Sequence, residues 1–294
     1  MSGVTGRLVA QAKLNLILRV LGKELSGYHQ LETVFVRLEL GDTVTVRCGG
    51  TSRSLECDES ALQVRGQLGP PNENLAYRAA VAYADAAGWP RGFRIDIEKR
   101  IPVGGGLGGG SADAGAVLRI LDALAPQPLS PDRFRRIAFA LGADVPFLAA
   151  EMPMALGWGR GERLHPLPAL PSREIALAIF PFGILTKDAF GWLDADRQGD
   201  LPLDATIQGE MLMAWDRVAV VMRNDLEAPV TQRNPAIRRV LDGMRRATTL
   251  AQLTGSGSTV FGVFDAPATL SLGEDTRVIW TRNAARVVPV ERIG

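Results

Sequence analysis

Residues 104–111 read Gly-Gly-Gly-Leu-Gly-Gly-Gly-Ser, six glycines in the first seven positions. Glycine costs backbone entropy and packs no side chain, so such a run does not serve a core. What it offers is bare N–H groups and close approach. Ahead of it, Phe93-Arg94-Ile95-Asp96-Ile97 alternates like a strand. Behind it, Val117, Ile120, Leu121 and Leu124 recur at helical spacing. A glycine loop between a strand and a helix N-terminus is suited to cradling phosphate, because the first-turn N–H groups are unpaired and the dipole is positive there.

Two glycine motifs compete for this loop. Gly104, Gly106 and Gly109 fit G-x-G-x-x-G. A dinucleotide fold needs a second strand with an acidic residue about 20 positions on, and a proline-rich loop at 126–131 stands there instead. The P-loop of nucleotide hydrolases needs Gly-Lys-Ser/Thr, and no lysine follows these glycines. Positive charge must therefore come from elsewhere, and Lys13, Lys99 and Arg100 are the candidates. Lys13 sits in the apolar run 8–18, where Gln11, Lys13 and Asn15 share one face opposite Leu14, Leu16 and Leu18. A solvated or edge strand would look the same.

The other elements suggest an α+β fold. Residues 8–20 and 32–47 are expected as strands, with a turn at Gly41-Asp42. A helix runs from the cap Asn74 to Ala87 and stops at Gly88-Trp89-Pro90. Helices follow at 111–125 and from Pro131 to Leu141. Gly157-Trp158-Gly159-Arg160-Gly161 reads as a break, which places a domain boundary near it: 1–160 and 161–294. Beyond it are a strand at 174–181, a helix from Thr186, an exposed loop at 197–209 and a helix from Asn234-Pro235. Strands at 249–254 and 259–264 flank a second glycine–serine loop, Gly255-Ser256-Gly257-Ser258. The lack of strict βα alternation argues against a doubly wound sheet.

Composition narrows the function classes. A net charge of +1 sets up no strong field for nucleic acid or an anionic membrane. Two cysteines and two histidines are too few for a zinc site of ordinary spacing. The N-terminus lacks a secretory pattern, because Arg7, Gln11, Lys13 and Asn15 interrupt it, and no run approaches the ~20 apolar residues of a membrane helix. A cytoplasmic protein is expected. Asp144, in Leu-Gly-Ala-Asp-Val-Pro-Phe, is either a helix cap or a general base.

Pro102-Val103-Gly104-Gly105-Gly106-Leu107-Gly108-Gly109-Gly110-Ser111-Ala112 resembles the phosphate loop of the GHMP kinases, and Thr254–Thr259 resembles their C-terminal glycine motif. Ala12-Lys13-Leu14-Asn15-Leu16, the segment from Gly27-Tyr28-His29 to Phe35, Leu141–Phe147 and Arg223-Asn224-Asp225-Leu226-Glu227 are similar to one branch of that family. Its acceptor is 4-diphosphocytidyl-2-C-methyl-D-erythritol, an isoprenoid precursor of the non-mevalonate route. After Phe264 the chain departs from the family, with a short 268–272 segment where a longer helix is usual.

The resemblance implies a two-domain fold with the active site in the cleft. It implies an ATP-dependent kinase acting on the 2-hydroxyl of that cytidine-diphosphate substrate. Asp144 would take the hydroxyl proton, with Lys13 beside it and Asn15 orienting substrate or Lys13. Residues 102–112 would cradle ATP, with Ser111 near Mg²⁺ and with Asn74 and Lys99 near the adenosine. Tyr28 and His29 would recognise the cytidine, and Phe190 would close the stack or join the helix core. A homoserine, mevalonate or sugar kinase, or a nucleotide-binding protein without catalysis, are the alternatives.

Overall fold

The structure, a computed structural model, describes residues 3–62, 70–198, 207, 209–273 and 276–293. Two 20-residue strands, β1 (Val4–Lys23) and β2 (His29–Cys48), pair antiparallel. β3 (Arg53–Asp58), helix α1 (Leu75–Ala87) and β4 (Phe93–Glu98) follow, with β4 joining β2. The glycine run leads into α2 (Gly109–Leu124), then α3 (Pro131–Leu141) and the short α4 (Val145–Ala149). A hairpin of β5 (Met154–Gly159) and β6 (Arg163–Leu167) returns to β2.

The rest of the chain holds β7 (Glu174–Ile179), α5 (Thr186–Arg197), α6 (Trp215–Val221), β8 (Arg223–Asn224) and α7 (Glu227–Arg233). Then come α8 (Pro235–Ala247), β9 (Ala251–Leu253), β10 (Val260–Phe264), β11 (Arg277–Arg282) and β12 (Glu291–Ile293). The first sheet runs β12-β1-β2-β4-β3, with β5 and β6 attached beside β2 and β8 beside β1. The second runs β11-β7-β10-β9. The mixture is the expected α+β class.

β7 shows how the layers stack. Ile175, Leu177 and Ile179 enter the core shared with β1, β2 and α2, while Ala176 and Ala178 join Ile237, Val240, Leu241 and Met244 of α8. Period-two alternation thus sends one strand's side chains into two cores. Pro235 at the first turn of α8 and the αL glycine Gly88 after α1 mark helix ends as their residue types dictate.

Several expectations change. Gly41-Asp42 is not a turn: β2 continues through it, and the pairing register slips between Gln11 and Lys13. Residues 157–161 are not a break but the tip of the β5–β6 hairpin. The 160/161 boundary falls in that hairpin, so β6, β8 and β12 join the first sheet from beyond it. The polar face of β1 is neither solvated nor at an edge: Gln11, Lys13 and Asn15 are buried, and Gln11 bonds the backbone at Arg286 and Val288. Of the loop expected at 197–209, residues 199–206 and 208 lie outside the described residues.

Candidate active site

The glycine loop is shaped by backbone that other residues rarely adopt. Gly104, Gly106 and Gly108 have φ of 77°, 80° and 74°. A Cβ on Gly106 would lie 2.4 Å from the Thr254 carbonyl oxygen, and one on Gly105 would lie 2.5 Å from Thr259 Oγ1. The second glycine–serine loop is therefore no plain hairpin turn. It packs directly on the first, and Thr259 N–H donates to the Gly105 carbonyl at 3.2 Å. Asn224 braces this second loop by donating to the carbonyls of Leu253 and Gly255, each at 2.8 Å.

Lys13 stands where the two loops meet. Its N–H donates to the Leu107 carbonyl at 3.0 Å, beside the register slip in β1. Its Nζ donates to Asn15 Oδ1 at 2.7 Å and lies 3.4 Å from Asp144 Oδ2. Asn15 in turn donates to Thr33 Oγ1 at 2.8 Å, and Thr33 donates to the Ile17 carbonyl. Lys13 is buried, whereas the Asp144 side chain remains 32% exposed. A fixed cation thus faces a carboxylate that a substrate hydroxyl can reach.

Asp144 immediately precedes α4, where the helix dipole favours negative charge. Its side chain makes no capping hydrogen bond, so the capping role weighed for it is not the one it plays here. Arg37, opposite Lys13 in the β1–β2 register, holds the far end of α4 through the carbonyls of Phe147 and Ala150. The two neighbouring residues on adjacent strands therefore fix the helix at both ends.

A cavity of about 650 Å³ opens over these groups. Pro102, Val103, the loop glycines, Leu107 and Ser111 line it, with Lys13, Asn15 and Asp144. Ala112 is buried beneath the loop, and Arg100 is exposed away from the wall. Asn74 lines the cavity and also caps α1, accepting from Ala76 N–H at 2.9 Å.

Lys99 reaches the wall, but its Nζ is held by Asp42 and by Asp113, the latter at 2.7 Å. Asp42 also accepts from Arg100 N–H and from Ile101 N–H, the latter at 2.8 Å. This buried triad pins the chain on both sides of the glycine loop. Burial pushes the Asp113 carboxyl well above the usual carboxylate range; the Lys99 ammonium opposes that and the Asp42 charge adds to it. Asp113 Oδ1 has no partner. Sequence analysis missed both carboxylates: a charge between Ala112 and Ala114 was the one local signal for Asp113, and Asp42 read only as part of a turn.

Aromatic residues gather at the other end. His29 stacks on Phe190 of α5, ring centroids 4.6 Å apart, and its Nε2 lies 2.7 Å from Asp194 Oδ1. Burial disfavours the Asp194 charge, but hydrogen bonds from Lys23 and His29 outweigh it and hold the carboxyl below its usual range. Phe190 does both things weighed for it: it lines the cavity and, half-buried, packs against the core that holds α8. Tyr28 is exposed and lies under the Arg160 guanidinium, 4.0 Å from ring centroid to Cζ. Arg160 lines the cavity too and was missed, because its segment read only as a break.

A site for magnesium must suit these donors. Among the described residues no three His, Cys, Asp or Glu side chains cluster for a metal. Ser111, in the first turn of α2, and Asp144 offer oxygens on the wall. That sparse set fits an ion held mainly by a nucleotide's own phosphate oxygens and water.

Known proteins resemble this chain in sequence and fold. Residues 74–151 match the GHMP kinases N terminal domain and residues 210–271 the GHMP kinases C terminal domain. A 4-diphosphocytidyl-2-C-methyl-D-erythritol kinase of Moorella thermoacetica is 39% identical over 267 residues, 87% of this chain and 89% of that protein. One of Deinococcus radiodurans is 40% identical over 260 residues, 86% of this chain and 82% of that protein. A crystal structure of 4-(cytidine 5'-diphospho)-2C-methyl-D-erythritol kinase superposes with a TM-score of 0.77 at 33% identity, covering 95% of this chain and 99% of that one. A homoserine kinase from Cytophaga hutchinsonii, at 14% identity and a TM-score of 0.64, shares the fold alone. The chain belongs to the GHMP kinases and, within them, to the family of the 4-diphosphocytidyl-2-C-methyl-D-erythritol kinases.

Proposed function

We propose that this chain transfers the γ-phosphoryl group of ATP to the 2-hydroxyl of 4-diphosphocytidyl-2-C-methyl-D-erythritol, a step of non-mevalonate isoprenoid synthesis. The observation that carries the reading is the Lys13–Asp144 pair at 3.4 Å, set beside a glycine loop that lies within the match to the GHMP kinases N terminal domain. Asp144 accepts the proton of the attacking hydroxyl. Lys13 Nζ neutralises charge that develops on the transferring group, and Asn15 holds Lys13 in line. Much of phosphoryl transfer is positioning and charge stabilisation, and a buried, doubly held lysine supplies both.

The loop 102–111 cradles the ATP phosphates through backbone N–H groups, with Asn74 on the adenosine side. Ser111 is the side chain that would help hold magnesium, together with water and the nucleotide's own oxygens, and the ion would supply neutralisation of phosphate charge. The Lys99 ammonium is engaged by two carboxylates, so its contribution is to the loop's shape. Tyr28, His29 and Phe190 form the cytidine platform, with His29 offering a hydrogen bond to the base edge. Both parts of the chain serve both sides: the donor loop of 1–160 packs on the 254–259 loop, and Phe190 of 161–294 meets His29 on the acceptor side. Cys48 and Cys57 are free thiols, which suits a reducing cytoplasm. Among the described residues no helix is long and apolar enough to cross a membrane.

A substrate panel tests the reading. With ATP and magnesium, the cytidyl substrate is expected to yield stoichiometric ADP and a phosphorylated product by mass spectrometry, while homoserine, mevalonate and galactose yield none. Transfer to one of those three instead, or to no acceptor despite ATP binding, overturns it.

A further inference from the structure

Three cationic side chains line the cavity among the described residues: Lys13, Lys99 and Arg160. Lys13 is engaged at the transfer point by Asn15 and Asp144, and Lys99 is buried between Asp42 and Asp113. Neither is free to meet a second anion on the acceptor side. An acceptor with its base near Tyr28 and His29 and its hydroxyl at Asp144 must lay a diphosphate across the wall between them. Charged oxygens taken from water without a partner there would cost several kcal/mol, on the order of an unpaired buried charge.

Arg160 stands at that place with unusual support. The hairpin holds its backbone: Gly159 pairs with Leu31, and Arg160 N–H donates to Glu162 at 2.7 Å. Its guanidinium carbon lies over Tyr28, 4.0 Å from the ring centroid. The same group donates to Glu24 at 2.6 Å and to Ser26 Oγ at 3.2 Å. Glu24, Ser26 and Tyr28 belong to one tight loop, closed by Glu24 N–H to the Tyr28 carbonyl at 2.7 Å. One arginine therefore touches the aromatic residue of the base platform and a carboxylate beside it.

We propose that Arg160 recognises the diphosphate of the acceptor, and that Glu24 holds its guanidinium in place until that diphosphate displaces it. The proposal rests on the cytidyl-acceptor reading above. The exchange is favourable on magnitudes. The Arg160 and Glu24 side chains are 30% and 26% exposed, and a pair that open to water is worth about 0–1 kcal/mol. A guanidinium on phosphate makes parallel charge-assisted bonds and carries its planar fork ready-formed. Stacking on Tyr28 leaves the N–H edge of the fork available for that contact.

The test compares calorimetric binding of CDP and of cytidine, which differ only in the diphosphate. Wild type is expected to bind CDP more tightly than cytidine. Arg160→Ala should weaken CDP by about 10–100-fold, the range of a hydrogen bond to a charged group, and cytidine by less than about threefold. Arg160→Lys should recover part of that loss. Glu24→Gln should tighten CDP by about two- to fivefold, because the competing carboxylate is gone. A purely structural tie between Arg160 and the loop predicts the opposite sign for Glu24→Gln. Equal losses of CDP and cytidine in Arg160→Ala, no loss of either, or weaker CDP binding in Glu24→Gln overturns the proposal. Wild-type transfer to the cytidyl substrate is measured in parallel. No transfer, with CDP binding still dependent on Arg160, removes the function but not the contact.

Discussion

The two halves of the cavity are built from different materials. The donor side is backbone: glycines at positive φ, packed on a second glycine loop with too little room for a Cβ. The acceptor side is side chains drawn from separated elements: Phe190 on α5 and Arg160 at the β5–β6 tip line the cavity, and His29 and Tyr28 at the β1–β2 connection pack against those two from outside its lining. A backbone cradle takes any nucleotide phosphate, because N–H groups carry no base preference. Side chains can be exchanged one at a time, so acceptor choice can vary within one fold. Lys13, Asn15 and Asp144 form the seam between the halves.

The seam should give the largest effect. Asp144→Asn keeps the shape but loses the base, and turnover is expected to fall about 10²–10⁴-fold while ATP binding persists. Near-normal turnover would put the proton acceptor elsewhere. The next effect belongs to the donor side. Gly106→Ala places a methyl 2.4 Å from a backbone oxygen at φ 80°, and strain with overpacking should cost about 2–6 kcal/mol. Lower thermal stability and weaker ATP binding would follow. Gly110→Ala is the control, since its Cβ would meet nothing closer than Leu75 Cδ1 at 3.8 Å. It should shift stability by less than about 1 kcal/mol, and equal damage from both variants would dissolve the close-packing explanation.

The smallest effect is in the buried triad. Folding raises the Asp113 pKa, chiefly by burial. A raised carboxyl pKa means that the folded state holds the proton more tightly than the unfolded chain. Its stabilising contribution is therefore full below the ordinary carboxylate pKa and is lost as pH rises through the raised value. Thermal melts across that interval should show stability declining with pH in the wild type and declining less in Asp113→Asn. An identical slope would mean that Asp113 does not carry the proton.

The two halves were also unequally legible in the sequence. The glycine run announces itself, because its composition is useless for anything but turns and close approach. Helix ends at Asn74 and Gly88 follow from local chemistry and could be read locally. Lys13 could not. A lysine on an apolar strand has the same pattern whether it faces water or a buried seam, and only the second glycine loop packed over it decides between them. Asp42 was hidden by a bulge that mimics a turn signal, and Arg160 by glycines that mark a hairpin tip as readily as a break. Both owe their roles to partners far away in the chain, Asp42 to Lys99 and Arg160 to Glu24.

The division between a backbone donor side and a side-chain acceptor side meets its most direct test at Tyr28. Steady-state kinetics of Tyr28→Ala should show the KM for the cytidyl substrate rising by about 5–100-fold, the worth of one lost base stack, with the KM for ATP unchanged within about twofold. Equal increases in both constants would contradict the division and make Tyr28 a structural residue of the β1–β2 connection.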